Sequence, residues 1–194
     1  MPSKTVSFSL NGMLFEYDEE KNLKNIKKHG ISFRSAARVF FDFDRIEFYD
    51  EENSKDEDRY DTIGDTSAGN LLSKSAASTT IGNVDTFAAG VNDILYVVYT
   101  ERFRTETDGK KQEVTRLISA RMATNFERGL YMVNRNDFTR EQMKELTFTP
   151  RELEELAEAR RMPITFDEDC PETTPEQAVK FHRVNPPRGG SRYA

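Results

Sequence analysis

The sequence predicts an α+β fold, in which a domain over residues 1–133 is followed by a tail of short α-helices over residues 134–194. Three observations support this prediction. Two capped helix patterns lie near the start, several short apolar strands follow them, and three capping boxes are spaced along the last third of the chain. Residues 65–93 are rich in small polar residues without a sustained period, so they are expected to form a flexible insertion between strands.

The composition limits the classes of function. With 36% apolar residues and 14 phenylalanines, the 194 residues can fill a modest core. A net charge of −6 argues against a broad nucleic-acid-coating surface, so any such contact must come from a local basic cluster. A single cysteine excludes an internal disulfide, and the two histidines show no metal-ligand spacing with it. We expect a cytoplasmic protein with no cofactor, no metal and no membrane contact.

The first helix has a predicted start and a predicted end. A short strand at Phe15 precedes Asp18, which can cap the helix, and Gly30 is the usual helix stop. His29 fills the last turn, where the helix dipole favours its protonated form. It therefore suits a phosphate contact or a proton donor, and a solvated capping histidine is the alternative. After the Ser32 cap, a core-facing stripe predicts a second helix. The stripe consists of Phe33, Ala36, Ala37, Phe40 and Phe41.

Four strands are expected after the helices. Two short ones, Ile46–Tyr49 and Arg59–Gly64, flank an acidic loop. The continuous apolar run Ile94–Thr100 is typical of a strand buried on both faces, and Arg102 follows its end. A polar hairpin with the turn pair Asp108-Gly109 then returns the chain to the fourth strand, which places Arg102 near that strand's entry.

The fourth strand and the helix after it, Val114–Tyr131, form a local positive site on an acidic protein. The segment carries three arginines, Arg116, Arg121 and Arg128. Strict alternation puts Arg116 and Arg121 on opposite faces unless the strand bends. Thr124 and Glu127 have capping-box spacing, so the helix is expected to begin directly after Arg121, where free backbone N–H groups favour an anion. An arginine at this position suits a phosphate, and surface ion pairing is the alternative.

The tail is expected to be a string of short helices and one acidic segment. Capping boxes begin at Thr139, Thr149 and Thr174. The apolar stripes of these helices are too thin to form a core alone, so they need the first domain or a second copy of the chain, as in a homo-oligomer. The acidic segment Pro163–Cys170 suits either a cover for an arginine site or a solvated linker.

Four motifs, in this order, resemble the BrnT toxins of type II toxin–antitoxin systems. They are FEYDEEKNLKNIKKHGISF, DEDRYDTIG, LYVVYTER and RLISARMATNFERGLY, and they cover most of Phe15–Tyr131. The resemblance implies a RelE-like fold, with two helices packed on a small antiparallel sheet, and an endoribonuclease that inhibits growth by cutting RNA. It also implies that Arg102 and Arg121 are the toxicity residues, with His29 and Arg59 as further members of the site.

Metal-free RNA cleavage uses the ribose 2′-OH as nucleophile, so a protein need only supply a base, an acid and positive charge. Arg102 and Arg121 are expected to hold the scissile phosphate, because a guanidinium binds phosphate oxygens in a bidentate manner and stays charged. Arg59 supports them in this hypothesis. Proton transfer is assigned to His29 or Tyr131.

The segment Met162–Val184, and its ITFDEDCP run in particular, resembles part of the small antitoxins encoded beside such toxins. We therefore expect the chain to inhibit itself, because tethering gives the tail a high effective concentration. A separate BrnA-like antitoxin is the other partner considered. Met122 stands where the family often has a second basic residue. This departure supports an alternative in which the domain has lost catalysis and serves as a binding or antitoxin-like partner.

Overall fold

A seven-stranded sheet is the centre of the computed structural model, which describes residues 4–66, 93–105, 109–132 and 149–185. The strands are β1 (Thr5–Leu10), β2 (Met13–Asp18), β3 (Ile46–Tyr49), β4 (Arg59–Asp65), β5 (Ile94–Thr105), β6 (Lys111–Met122) and β7 (His182–Arg183). Their order in the sheet is β1-β2-β6-β5-β4-β3-β7. β2 pairs with β6 in parallel, and the other pairs are antiparallel.

The α+β class is confirmed, but the finer arrangement of two initial helices on a small antiparallel sheet is wrong. A β-hairpin of β1 and β2 precedes the helices, and the parallel β2–β6 pair makes the sheet mixed. The tail also contributes an edge strand, β7, which sequence patterns cannot reveal because it is only two residues long. The predicted division of the chain near residue 133 lies outside the described residues and stays a prediction.

The helices follow their capping residues. They are α1 (Glu19–His29), α2 (Phe33–Ala36), a 3-10 helix (Ala37–Phe41), α3 (Asn125–Met132), α4 (Pro150–Ala159) and α5 (Pro175–Ala178). Asp18 accepts the backbone N–H of Lys21, and Gly30 ends α1 with φ at 70°. Thr149 and Thr174 form the predicted capping boxes, whereas the Thr139 box lies outside the described residues. Of the predicted 65–93 insertion, Asp65 is the last residue of β4, and residues 67–92 lie outside the described residues. None of the helices described is long and apolar enough to span a membrane.

Each face of the sheet has its own core. On the first face, α2 and the 3-10 helix pack on Leu95, Val97 and Tyr99, and the predicted Phe33–Phe41 stripe supplies most of the cover. On the second face, Tyr96, Val98 and Ile118 pack against α3 and the tail. We call these the helix face and the tail face. The tail also reaches the first core, because Ala159 belongs to it.

A β-bulge in β6 decides which arginines share a face. Val98 pairs with Ser119 and Tyr99 pairs with Leu117, which leaves Ile118 as the extra residue. Because the bulge shifts the alternation by one residue, Arg116 opposite Thr100 and Arg121 opposite Tyr96 both lie on the tail face. The expectation that Arg116 and Arg121 face opposite ways is therefore wrong.

Helix α1 takes the place of a strand beside the second half of β6. The β2–β6 pairing ends at Tyr17 and Leu117. Beyond it, the Asn25 side chain accepts the backbone N–H of Ala120 at 3.0 Å and donates to the carbonyl oxygen of Ala120 at 2.8 Å. This pairing satisfies the open strand edge and fixes α1, with its lysines and His29, next to the tail face.

Candidate nucleic-acid interface

Three arginines of the tail face share one buried carboxylate. Glu16 of β2 contacts Arg102 at 3.3 Å, Arg104 at 2.9 Å and Arg116 at 3.1 Å. Arg102 also pairs with Glu57 of the acidic loop. Because three guanidinium groups meet two carboxylates, the cluster keeps a net positive charge. The prediction that Arg102 lies near Arg116 is correct, although β5 continues past Arg102 to Thr105 instead of ending there.

Arg121 has a separate and fully buried environment. Its guanidinium pairs with both oxygens of Glu127 at 2.7 Å, donates to the carbonyl oxygen of Pro171 at 2.9 Å, and lies 4.2 Å from the centre of the Tyr96 ring. The side chain is 1% exposed. Burial works against its charge, but the bonds to Glu127 raise the pKa of Arg121 above its ordinary value. Glu127 also accepts the backbone N–H of Thr124, so the predicted capping box both starts α3 and orients the arginine.

A segment of the tail, residues 163–173, runs over the tail face and is called the strap below. Its Asp167 contacts Lys28 and lies 3.8 Å from Nε2 of His29, and its Asp169 lies 3.8 Å from Arg59. Thr165 lies 3.5 Å from Nδ1 of His29. The strap thus brings His29, Arg59 and Arg121 together around one segment, whereas Arg102 belongs to the Glu16 cluster.

His29 is held in the gap between α1 and the strap. It is 4% exposed, and its Nε2 makes no hydrogen bond with the residues that the structure describes. Burial lowers the pKa of His29 below its ordinary value, and the opposing attraction of Asp167 is weaker. The imidazole is therefore neutral near pH 7, so the helix dipole does not decide its protonation state here.

The other two predicted residues lie on α3. Tyr131 is fully buried in the second core, where its hydroxyl group lowers the pKa of the Asp42 carboxyl against the larger rise that burial causes. Arg128 donates from Nε to the carbonyl oxygen of Ala123 at 3.0 Å, and burial lowers its pKa. Both contacts support the packing of α3 against the sheet.

Asp61 is a candidate residue that the sequence analysis missed. It lies on β4 two residues after Arg59 and therefore on the same face, and it accepts a hydrogen bond from the Tyr96 hydroxyl at 2.5 Å. Burial raises the pKa of Asp61 to about 7, although the Tyr96 bond opposes this rise. The alternation Arg59, Asp61 in DEDRYDTIG was the available signal. It is weak, because an acidic residue in a buried strand becomes informative only when its neighbours are known.

A groove of about 510 Å³ runs between α1, the bulge of β6 and the strap. Its lining is Lys21, Lys24, Asn25, Lys27, Lys28, His29, Ile118, Ser119, Asp167 and Asp169. Four lysines give the groove a positive charge that favours anions, and the two strap carboxylates occupy part of it. In the part of the chain described, no group of three or more His, Cys, Asp or Glu side chains suits a metal ion.

Fold and site together define an α+β domain with a basic face that is covered by an acidic segment of its own chain. Comparison with protein families finds a match to the first part of this domain. Residues 17–80 match the family described as the ribonuclease toxin, BrnT, of type II toxin–antitoxin systems. The resemblance stated from the motifs is confirmed over this range, which holds α1, α2 and β4 but not the strands that carry Arg102 and Arg121. Comparison with curated proteins gives no match.

The match covers 64 of the 194 residues, so the similarity to ribonuclease toxins concerns this part of the chain. Two of the predicted site residues, His29 and Arg59, lie inside the matched range, and so does Asp61.

Proposed function

We propose that residues 1–133 form a metal-independent endoribonuclease toxin that is held inactive by the tail of its own chain. The observation that carries the proposal is the position of the strap. Residues 165–171 contact His29, Arg59 and Arg121 at once, and each contact uses a group that RNA chemistry would need.

In the reaction, a base removes the proton of the ribose 2′-OH, and the resulting oxygen attacks the adjacent phosphorus. The bond from phosphorus to the 5′-oxygen breaks, and an acid protonates that oxygen. Arg121 stabilises the charge on the phosphate oxygens, with Arg59 in support, and Arg102 of the separate Glu16 cluster contacts the RNA further along β5. Asp61 joins His29 and Tyr131 as a candidate for proton transfer, since a carboxylate with a pKa of about 7 is matched to a base that works near neutral pH.

The strap keeps the site inactive by accepting a hydrogen bond that Arg121 would otherwise donate to phosphate. One amino group of Arg121 donates to Pro171, and the strap residue Thr173 donates to Glu127 at 2.5 Å. When the strap leaves, the Pro171 bond is lost and the guanidinium gains a free donor, while Glu127 still fixes its orientation. Phosphate then replaces the Pro171 carbonyl as the acceptor.

The test compares three samples in growth and RNA-cleavage assays. The 1–133 fragment is expected to arrest growth and cleave RNA, whereas the full chain, and the fragment with residues 134–194 supplied in trans, are expected to be inactive. Arg121→Lys in the fragment keeps the charge but loses the bidentate geometry, so cleavage should fall by at least about 100-fold. Arg34→Ala is the control, since Arg34 lies against Phe8 on the helix face. Equal activity of fragment and full chain would contradict masking.

A second candidate function is a binding partner without ribonuclease activity. The specific observation in its favour is that both terminal nitrogens of Arg121 pair with Glu127 in a fully buried position, as expected of a structural ion pair. A folded 1–133 fragment that binds RNA but leaves it intact in the same assay would establish this alternative. The proposal that the tail serves as the antitoxin would then be replaced by one in which the whole chain pairs with another toxin.

A further inference from the structure

The strap and α1 meet through opposite charges at two matched places. Lys21 donates to both carboxylate oxygens of Asp169, at 3.1 and 2.9 Å. About two helical turns further on, Lys28 pairs with Asp167. The two lysines are seven residues apart and so lie about 10 Å from each other along the helix axis. Two carboxylates of the strap therefore follow the lysine side of α1 as an anionic chain would.

The groove is larger than the two carboxylates require. Lys24 and Lys27, both exposed, extend its basic lining, and its volume of about 510 Å³ is open beside Ser119. His29 turns a buried Nε2 into this space without a hydrogen bond to any residue in the described ranges. A buried polar atom without a hydrogen bond is unfavourable, so an atom in this position indicates a ligand that the strap replaces only in part.

We propose that this α1 groove binds the phosphodiester backbone of single-stranded RNA and that Asp167 and Asp169 occupy its phosphate positions. The strap is then a competitor of RNA for the same lysines, as well as a cover for Arg121. The inference rests on the proposed function in taking RNA as the ligand, but it concerns binding and does not depend on cleavage.

The first experiment measures binding of the full chain to a single-stranded RNA oligonucleotide with 2′-O-methyl groups, which cannot be cleaved through the 2′-oxygen. Asp167→Asn with Asp169→Asn is expected to tighten the Kd at least about 10-fold. The matched control is Glu168→Gln with Glu172→Gln, which changes the net charge equally on two exposed strap residues. The control is expected to change the Kd less than about 3-fold. Equal effects of the two pairs would overturn the proposal, because total charge alone would then explain the binding.

The second experiment asks whether the lysines contact phosphates. In the Asp167→Asn, Asp169→Asn background, Lys21→Gln with Lys28→Gln should lower the slope of log Kd against log salt by about 1.4, since each phosphate contact on a single strand contributes about 0.7. The control is Lys111→Gln with Lys180→Gln, two exposed lysines outside the groove. An unchanged slope in the groove variant would overturn the assignment of the groove.

The outcomes separate this proposal from the proposed function. Tightened, lysine-dependent binding by the full chain, together with a folded 1–133 fragment that leaves unmodified RNA intact, supports the groove and contradicts the ribonuclease. Cleavage by the 1–133 fragment, together with an unchanged Kd for RNA in the Asp167→Asn, Asp169→Asn chain, supports the ribonuclease. It overturns the proposal that the two strap carboxylates occupy phosphate positions. Circular dichroism of each variant identifies any loss of fold, and Asn at position 167 can still accept the backbone N–H of Cys170.

Discussion

Arg121 and Glu127 form a bidentate ion pair in which neither side chain is exposed by more than 1%. The pair connects the end of β6 to the first turn of α3, and it receives the strap through Pro171 and Thr173. Because both ions are removed from water, their mutual bonds must offset a large desolvation cost. Arg121 therefore stabilises the packing of the tail face, and it is also the first candidate for phosphate binding.

Arg121→Ala should destabilise the full chain by about 3–5 kcal/mol, because it leaves Glu127 buried without its cation. Arg116→Ala is the matched control. It removes the same side chain from the same strand and face, but Glu16 keeps Arg102 and Arg104, so we expect a loss below about 1 kcal/mol. Urea denaturation measures both. Similar losses would show that the Arg121 pair is not the dominant ion pair of this face.

Gly30→Ala should loosen the tail. Gly30 has φ at 70°, and a Cβ atom there would lie 2.8 Å from Sδ of Met162 and 2.9 Å from Cα of Ala159 in α4. Gly12→Ala is the control, since Gly12 also has positive φ, at 81°, but open space around it. Strain at positive φ costs about 1–3 kcal/mol in either case. We expect Gly30→Ala to lower the free energy of unfolding by at least about 1 kcal/mol more than Gly12→Ala does. We also expect faster proteolysis of the tail in Gly30→Ala.

The local features of this fold were predictable from the sequence because each depends on a few neighbouring residues. Asp18 and Gly30 bound α1 as their capping chemistry requires, and Thr124 with Glu127 starts α3. The stripe from Phe33 was assigned to the core correctly. Only its backbone differs, because the α-helix tightens into a 3-10 helix after Ala36.

The features that depend on contacts between distant residues were not predictable. The bulge at Ile118 reverses the face assigned to Arg121, and nothing in the residue types of β6 marks it. Asn25 pairs with the edge of β6 across 95 residues of sequence, although its helix reads as an ordinary polar surface helix. The acidic strap was left as cover or linker, because charge alone does not say which basic surface it meets.

Phe181→Ala should weaken the docking of the last part of the tail. The Phe181 ring lies 4.7 Å from the Phe48 ring and 6.4 Å from the Tyr96 ring, so its removal leaves a gap beside β7. We expect a loss of about 1–3 kcal/mol, below the range for a fully buried phenylalanine because Phe181 is partly exposed. Val179→Ala, at a position 85% exposed, should change the free energy of unfolding by less than about 0.5 kcal/mol. Thermal unfolding of the full chain distinguishes the two.

Asp61 should make the folded protein less stable as pH rises. Acids whose pKa is lowered by an ion pair, such as Glu127, have the opposite effect. The folded-state pKa of about 7 lies above the ordinary value of 3.8. The contribution of Asp61 to the free energy of unfolding is therefore complete below pH 4 and is lost as pH rises to 7. The slope reaches about 1.4 kcal/mol per pH unit for one proton. His29, whose pKa is lowered, acts in the opposite sense below its ordinary pKa of 6.5, as protonation is then favoured in the unfolded chain.

Asp61→Asn isolates the Asp61 contribution, because the amide keeps an acceptor for the Tyr96 hydroxyl group and cannot ionise. The free energy of unfolding of the variant, minus that of the unmodified chain, should rise between pH 5 and pH 7 and level off above the folded-state pKa. Asp169→Asn, at a partly exposed acid of the strap, serves as the control for the loss of one carboxylate. A difference that stays flat from pH 5 to pH 8 would mean that Asp61 ionises normally in the folded protein, and it would remove the argument for Asp61 as a base near neutral pH.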